Sequence, residues 1–357
     1  MSGHEEAYRE LAGRFGYADS PQLRRVLEYL INPLQARLFA RLPAAPEELA
    51  QQFGLPVEQV KRELDDGFLK GLLFPRNFQT RESYRFARNM VQLHDATQSI
   101  LKMDPAANRE LFQVWEDFCR NGGYDRDYAL TYLQHPQPRS RIVPAYLAIK
   151  DNPNLLPDED IRMLLKAQRL IAVVSCSCRK RALAMGRECE KSVDGNCFLF
   201  GRGAEYALSR DSGRALSYEE TLKIIEQNEE DGLIHSWPNS RVLQVGTLCS
   251  CCYDCCVDWE RLTKNGVDIG RRWAKSRYQA TVDLEKCDGC QICVERCQFD
   301  AVEMVKVPGS KKLKAEVDAE KCFGCGVCFL KCEPQAIAMD CVRPPEHIPA
   351  VQAAPAS

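Results

Sequence analysis

The residues most able to do chemistry are cysteines in short, regular spacings. The pattern C-x-x-C-x-x-C-x-x-x-C occurs twice, as Cys287, Cys290, Cys293 and Cys297 and again as Cys322, Cys325, Cys328 and Cys332. Three thiolates so close on one loop can wrap the corner of a cuboidal iron-sulfur cluster while backbone N–H groups point at its sulfurs. Zinc prefers two separated pairs closing a tetrahedron, so three evenly spaced cysteines fit a cube corner better. Nine further cysteines lie between residues 176 and 256: Cys176, Cys178, Cys189 and Cys197, then Cys249, Cys251, Cys252, Cys255 and Cys256. Only Cys119 precedes them in the chain, and it and Cys341 fall outside every motif, as spare core or surface thiols.

The two tight runs belong to an internal repeat at an offset of 35 residues, in which Asp283, Glu285, Lys286, Gly289, Ala301 and Met304 fall on Asp318, Glu320, Lys321, Gly324, Ala336 and Met339. Residues 278–342 thereby resemble the bacterial two-cluster ferredoxin, whose fourth cysteine in each run ligates the other run's cluster. The resemblance implies one [4Fe-4S] cluster on Cys287, Cys290, Cys293 and Cys332. It implies a second on Cys322, Cys325, Cys328 and Cys297. The proline usual after each fourth cysteine is replaced by Gln298 in one run and by Glu333-Pro334 in the other, a departure that touches the turn and not ligation. The lysine-rich insert from Lys306 to Lys314 separates the repeats and reads as a solvated hairpin.

In the middle region both dense cysteine groups follow apolar segments, Leu170 to Val174 and Arg241 to Gly246, that read as strands; a third strand is expected over Leu233 to Ser236. If they share a sheet, a single metal site becomes possible. Nine thiols suffice for one or two more iron-sulfur clusters, for zinc, or for a thiol/disulfide centre. Adjacent cysteines point apart, so Cys251-Cys252 and Cys255-Cys256 do not all serve one metal. The order of C-x-C-R at Cys176, a cysteine before Phe198 and Gly201, Gly-Leu-Ile-His at 232–235 and a final cysteine-dense run is similar to a cysteine-rich unit of uncharacterised iron-sulfur proteins of anaerobes. Arg179 reads as a charge that stabilises an anionic site, as a grip on an anionic partner or as an ordinary surface residue, and His235 as a ligand, a donor to sulfur or a satisfied structural residue.

The elements that must carry these groups form an α+β multidomain chain of 357 residues, long enough for several cores. Residues 1–150 read as helical, 151–275 as a small α/β cysteine-rich domain, 278–342 as the ferredoxin-like domain, and 343–357 as a disordered tail rich in Pro and Ala. Ser217 with Glu220 forms a capping box opening a helix, and Gly232 is placed to end it. About residues 20–90 resemble a winged helix-turn-helix, with helices around Glu47 to Phe53 and Val57 to Leu64 and a hairpin to Phe86. Its second helix carries Glu58, Glu63, Asp65 and Asp66 against Lys61 and Arg62, and residues 43–90 hold seven acidic and seven basic groups, where a DNA reader has a basic face.

Forty-eight basic and 50 acidic residues give a net charge of -2, too weak a field to draw nucleic acid or anionic lipid. The first residues lack an apolar export signal and no run could span a bilayer, which reads as cytoplasmic. No paired carboxylates, Ser/His arrangement, phosphate loop or dinucleotide fingerprint stands out. The expectation is therefore an electron carrier, or an electron-transfer subunit of an anaerobic oxidoreductase, that docks on a redox partner or catalytic subunit. The alternatives are a redox-sensing winged-helix regulator and an iron-sulfur enzyme whose substrate binds a cluster in the middle domain.

Overall fold

The computed structural model describes residues 3–187 and 189–350. The chain divides into two compact units, one of residues 1–127, 174–194 and 202–214, the other of residues 128–173, 195–201 and 215–357. This division cuts across the three consecutive regions read from the sequence. Cys176, Cys178 and Cys189 go with the helical unit, whereas the remaining middle cysteines share a unit with the ferredoxin repeat.

The first unit is a stack of short helices whose starts are written locally. Ser20 caps Pro21–Leu30 by accepting from the Leu23 N–H at 3.2 Å, and that helix buries Leu23, Val26, Leu27 and Leu30, one helical stripe. Pro46–Phe53 closes at Gly54, whose φ of 65° lies in the left-handed region, and Val57–Leu69 follows and buries Val60, Leu64 and Phe68. A hairpin pairs Leu73–Pro75 with Tyr84–Phe86. Asp65 holds it to the preceding helix by accepting from Arg81 at 2.8 Å and from the Tyr84 hydroxyl at 2.7 Å. The helix Arg109–Asn121 buries Phe112, Trp115, Phe118 and Cys119. Truncating Phe118, fully buried and stacked on Tyr124, would cost roughly 3–5 kcal/mol.

The second unit is built on a seven-stranded sheet in the order Arg214–Leu216, Ile171–Val174, Cys197–Phe200, Thr247–Cys251, Ile234–Pro238, Ser140–Val143 and Trp273–Ala274. Side chains alternate between faces along each strand. Val143, Phe198, Phe200, Trp237 and Leu248 enter a core with Ile161, Leu164, Leu165 and Ile225 of two helices. Ile142 and Ile234 enter the other core, which contains the ferredoxin cysteines. The capping box at Ser217 is present, opening Tyr218–Glu230, and Gly232 follows with φ 79°.

Two expectations change. Arg241 to Gly246 is irregular, and the strand begins six residues later than expected, at Thr247, so that Cys249 and Cys251 lie in it instead of after it. Gln168 explains why: its side chain donates to the Leu243 carbonyl at 2.5 Å and accepts from the Val245 N–H, taking backbone groups a sheet would need. The tail is ordered at least to residue 350. Ile348 is buried, and Arg241 donates to the Pro345 and Ile348 carbonyls. Residues 351–357 lie outside the described residues.

Candidate metal centres

The two halves of the ferredoxin repeat share the same turn hydrogen bonds. Asp283 accepts from the N–H groups of Glu285 and Lys286 at 3.0 and 3.3 Å, and Asp318 from those of Glu320 and Lys321 at 2.8 and 3.3 Å. The Asp283 N–H donates to Ala336 O at 2.7 Å and the Asp318 N–H to Ala301 O at 2.8 Å, so each repeat is closed by the other. Tyr278–Val282 pairs with Ile337–Cys341, and Val302–Val305 with Lys314–Val317. Gly289 and Gly324 take φ of 78° and 69°, and a Cβ there would strike the Leu313 and Tyr278 carbonyls respectively, so both positions demand glycine.

Cys287, Cys290, Cys293 and Cys332, the four that the resemblance assigns to one cluster, line a single cavity with Met304, Ala315 and Ile337. Cys290 is exposed where Cys287 and Cys293 are buried. Cys293 is pushed up to about 11 by burial and then by Cys290 and Cys287. In the other set, Cys328 is pushed well above its ordinary value by burial and then by Cys325, Cys322 and Cys297, its three expected co-ligands. Burial likewise pushes Cys325 up to about 12.

Buried thiols pushed up by neighbouring cysteines fit a metal centre, because a bound cation converts repulsion between thiolates into attraction. Backbone donors are also in place. The N–H of Ala301 reaches Cys297 Sγ and that of Ala336 reaches Cys332 Sγ, both at 3.3 Å, and that of Ala315 reaches Cys287 Sγ at 3.5 Å.

The middle cysteines divide. Cys197 and Cys249 are direct cross-strand partners, and Cys251, two residues on, shares the face of Cys249. Cys251 is pushed well above its ordinary value by contacts with the Cys249 and Cys256 thiols and then by burial. Cys252, Asp254 and Cys255 form a separate group, with ligand atoms within 4.8 Å of one another. Adjacent cysteines in 251–252 and 255–256 therefore do point apart. Asp254 was missed in the sequence, although an acidic residue inside C-x-x-C was a visible signal.

In the first unit Cys176 directly precedes the helix Ser177–Ala184, its N–H donating to Val193 O at 2.8 Å, and Cys178 lies in that helix's first turn. Cys189 follows in the same unit. Arg179 is buried and donates to Ser192 O at 3.2 Å, so it is not a surface residue. Arg181 is buried too and pairs with Glu116 at 3.0 Å.

His235 pairs in register with Ser250, on the face opposite Cys249 and Cys251. Its Nδ1 lies 3.0 Å from Ser250 Oγ and its Nε2 3.4 Å from Glu229 Oε1, a buried polar network away from the cysteine face. Cys341 receives a hydrogen bond from Arg277 at 3.2 Å at the end of the last strand, and Cys119 is core.

Two residues that the sequence reading passed over attach the ferredoxin loops to the rest of this unit. Arg296 donates to Val327 O at 2.7 Å and to the Glu229 and Glu230 carbonyls at 2.9 Å, at the end of the helix Tyr218–Glu230. Gln298, noted only as a missing proline, accepts from the Tyr253 N–H at 2.9 Å and donates to the Gly232 and Cys251 carbonyls.

Among the described residues no helix is long and apolar enough to cross a membrane. Residues 286–337 match the family described as the 4Fe-4S dicluster domain. No curated protein and no solved structure matches the chain. The carboxy-terminal part of the chain is thus a ferredoxin-like iron-sulfur domain.

Proposed function

We propose that the protein is an electron-transfer module that binds two [4Fe-4S] clusters in its ferredoxin domain and a further metal centre on the middle cysteines, and that it exchanges electrons with a redox partner or catalytic subunit. The observation that carries the reading is the pair of thiol sets. The four residues of one line a single cavity, and in the other Cys325, Cys322 and Cys297 lie close enough to the buried Cys328 to push its thiol up, in keeping with the interchanged assignment of the ferredoxin pattern. Such clusters supply one-electron chemistry. The protein's own part is to bury the thiolates, aim backbone N–H groups at them and exclude water from one side. The exposed Cys290 gives a partner its approach to the first set.

The acidic helix Val57–Leu69 supports a structural or protein-docking role for the winged-helix-like region over DNA reading. Asp65 holds Arg81 and Tyr84, Asp66 pairs with Lys70 at 2.7 Å, and Glu58 with Lys61 at 3.6 Å, so three of its carboxylates are engaged within the chain. The test is iron, sulfide and zinc per chain on protein handled without oxygen. About eight irons or more, with matching sulfide, is the expected result, and zinc in place of iron would overturn it.

A further inference from the structure

The sequence leaves the middle cysteines as one undivided pool, and the sheet sorts them. Cys197 and Cys249 face each other across neighbouring strands, Cys251 sits beside Cys249 on the same face, and the Cys256 thiol contacts that of Cys251. Cys256 is buried in the same apolar core as Cys287, Cys293, Cys322 and Cys328, and Cys251 packs against it. Cys251 and Cys256 therefore reach the ferredoxin cysteines through protein and not through solvent. Soft, all-thiolate donors select iron-sulfur clusters or zinc.

The connection to the ferredoxin is specific. Gln298 directly follows Cys297, where the family's proline would offer no side-chain hydrogen bond. Its amide oxygen accepts from the Tyr253 N–H at 2.9 Å and its amide nitrogen donates to the Cys251 carbonyl at 3.5 Å. One covalent step and one side chain thus separate a ligand of the second ferredoxin set from the backbone of Cys251. Trp259 fills the space alongside, with its ring 5.1 Å from Phe299, which stacks on Phe323 at 4.3 Å next to Cys322.

We infer that Cys197, Cys249, Cys251 and Cys256 hold a third iron-sulfur cluster, and that Gln298 positions it for electron exchange with the cluster of Cys297, Cys322, Cys325 and Cys328. The inference rests on the reading of residues 286–337 as an electron-transfer module. In the exchange one electron leaves the reduced ferredoxin cluster, which is oxidised, and enters the oxidised cluster on the sheet, which is reduced. No bond changes and no proton is required.

The experiment uses the full chain, purified without oxygen, reduced with dithionite and followed by metal analysis and paramagnetic resonance. The double variant C249S/C251S is expected to lose about a third of the iron, about four of twelve per chain, while both ferredoxin signals persist. The variants Q298P and Q298A are expected to keep all the iron and to lose the spin-spin splitting between the third cluster and its neighbour. The alanine, which any backbone tolerates, guards against a misfolded proline variant.

Loss of zinc instead of iron in C249S/C251S, or no metal change at all, overturns the third cluster. Splitting that survives in Q298A overturns the role of Gln298. Absence of the ferredoxin signals from the unmutated protein would instead sink the underlying reading, and it is seen without any variant.

Discussion

The ferredoxin loops and the strand Thr247–Cys251 both carry dense cysteines, yet they assemble their thiols by opposite means. In the loops three of the four cysteines proposed for each set come from seven consecutive residues, and the turn that presents them is fixed locally by Asp283 or Asp318 and by a glycine. On the sheet, Cys197 meets Cys249 only because two strands fifty residues apart pair in one register. Local wrapping leaves a spacing that can be read. Assembly by register leaves none, since a slip of one residue would turn every side chain to the other face.

The largest effect that tests this contrast is on iron. Cys325→Ser should remove about four irons per chain and leave the other sets loaded, because its co-ligands Cys322 and Cys328 share its loop. Iron and sulfide analysis checks it. Loss of iron from the sheet cysteines as well would mean that the two assemblies depend on one another, and the contrast would fail.

The local turn can be broken without touching a ligand. Gly324→Ala puts a Cβ against the Tyr278 carbonyl and Ser276 Oγ at a φ of 69°, and should cost about 2–4 kcal/mol, read as a lower denaturation midpoint. No glycine of this kind lies in Thr247–Cys251, where every residue is extended. An unchanged midpoint would show that the loop owes its shape to the bound cluster instead of to its own backbone.

What could be read in advance follows the same division. The ferredoxin turns, the capping box at Ser217 and the stop at Gly232 all depend on residues a few positions apart, and all are present. The strand expected over Arg241 to Gly246 is undone by the side chain of Gln168, more than seventy residues away. Apolar alternation could not register such a competitor. The same holds for Gln298: its departure from proline was visible, but its partners Tyr253 and Cys251 are brought there by tertiary structure.

A thiol outside the sets sharpens the contrast in another way. Cys119 is fully buried and favours the charged forms of His94 and Arg181. Burial lowers the His94 pKa, but hydrogen bonds to Asp95 and Cys119 outweigh it and raise the value to about 9. A raised histidine stabilises the fold fully below its unfolded pKa of about 6.5 and loses that contribution as pH climbs through 9. The first unit should therefore lose about 3 kcal/mol between those limits, measured by denaturant unfolding against pH. His94→Gln should flatten the profile, and a profile that stays steep would assign the loss to other groups.

The smallest expected effect asks how far the loops stand alone. Ser217 accepts from the Glu220 N–H at 3.1 Å and opens a helix of 13 residues, whose far end offers the Glu229 and Glu230 carbonyls to Arg296. At 1.5 Å per residue the two ends are about 20 Å apart. Ser217→Ala removes the cap and should cost about 1 kcal/mol, a fall of about 2–4 °C in melting temperature. If the ferredoxin loops are locally determined, the iron content and the paramagnetic spectrum stay as they were, since fraying one end of a helix does not move its other end. Iron lost in step with the melting temperature would mean that the helix, through Arg296, sets the loop geometry, and that the wrapping is less local than its spacing implies.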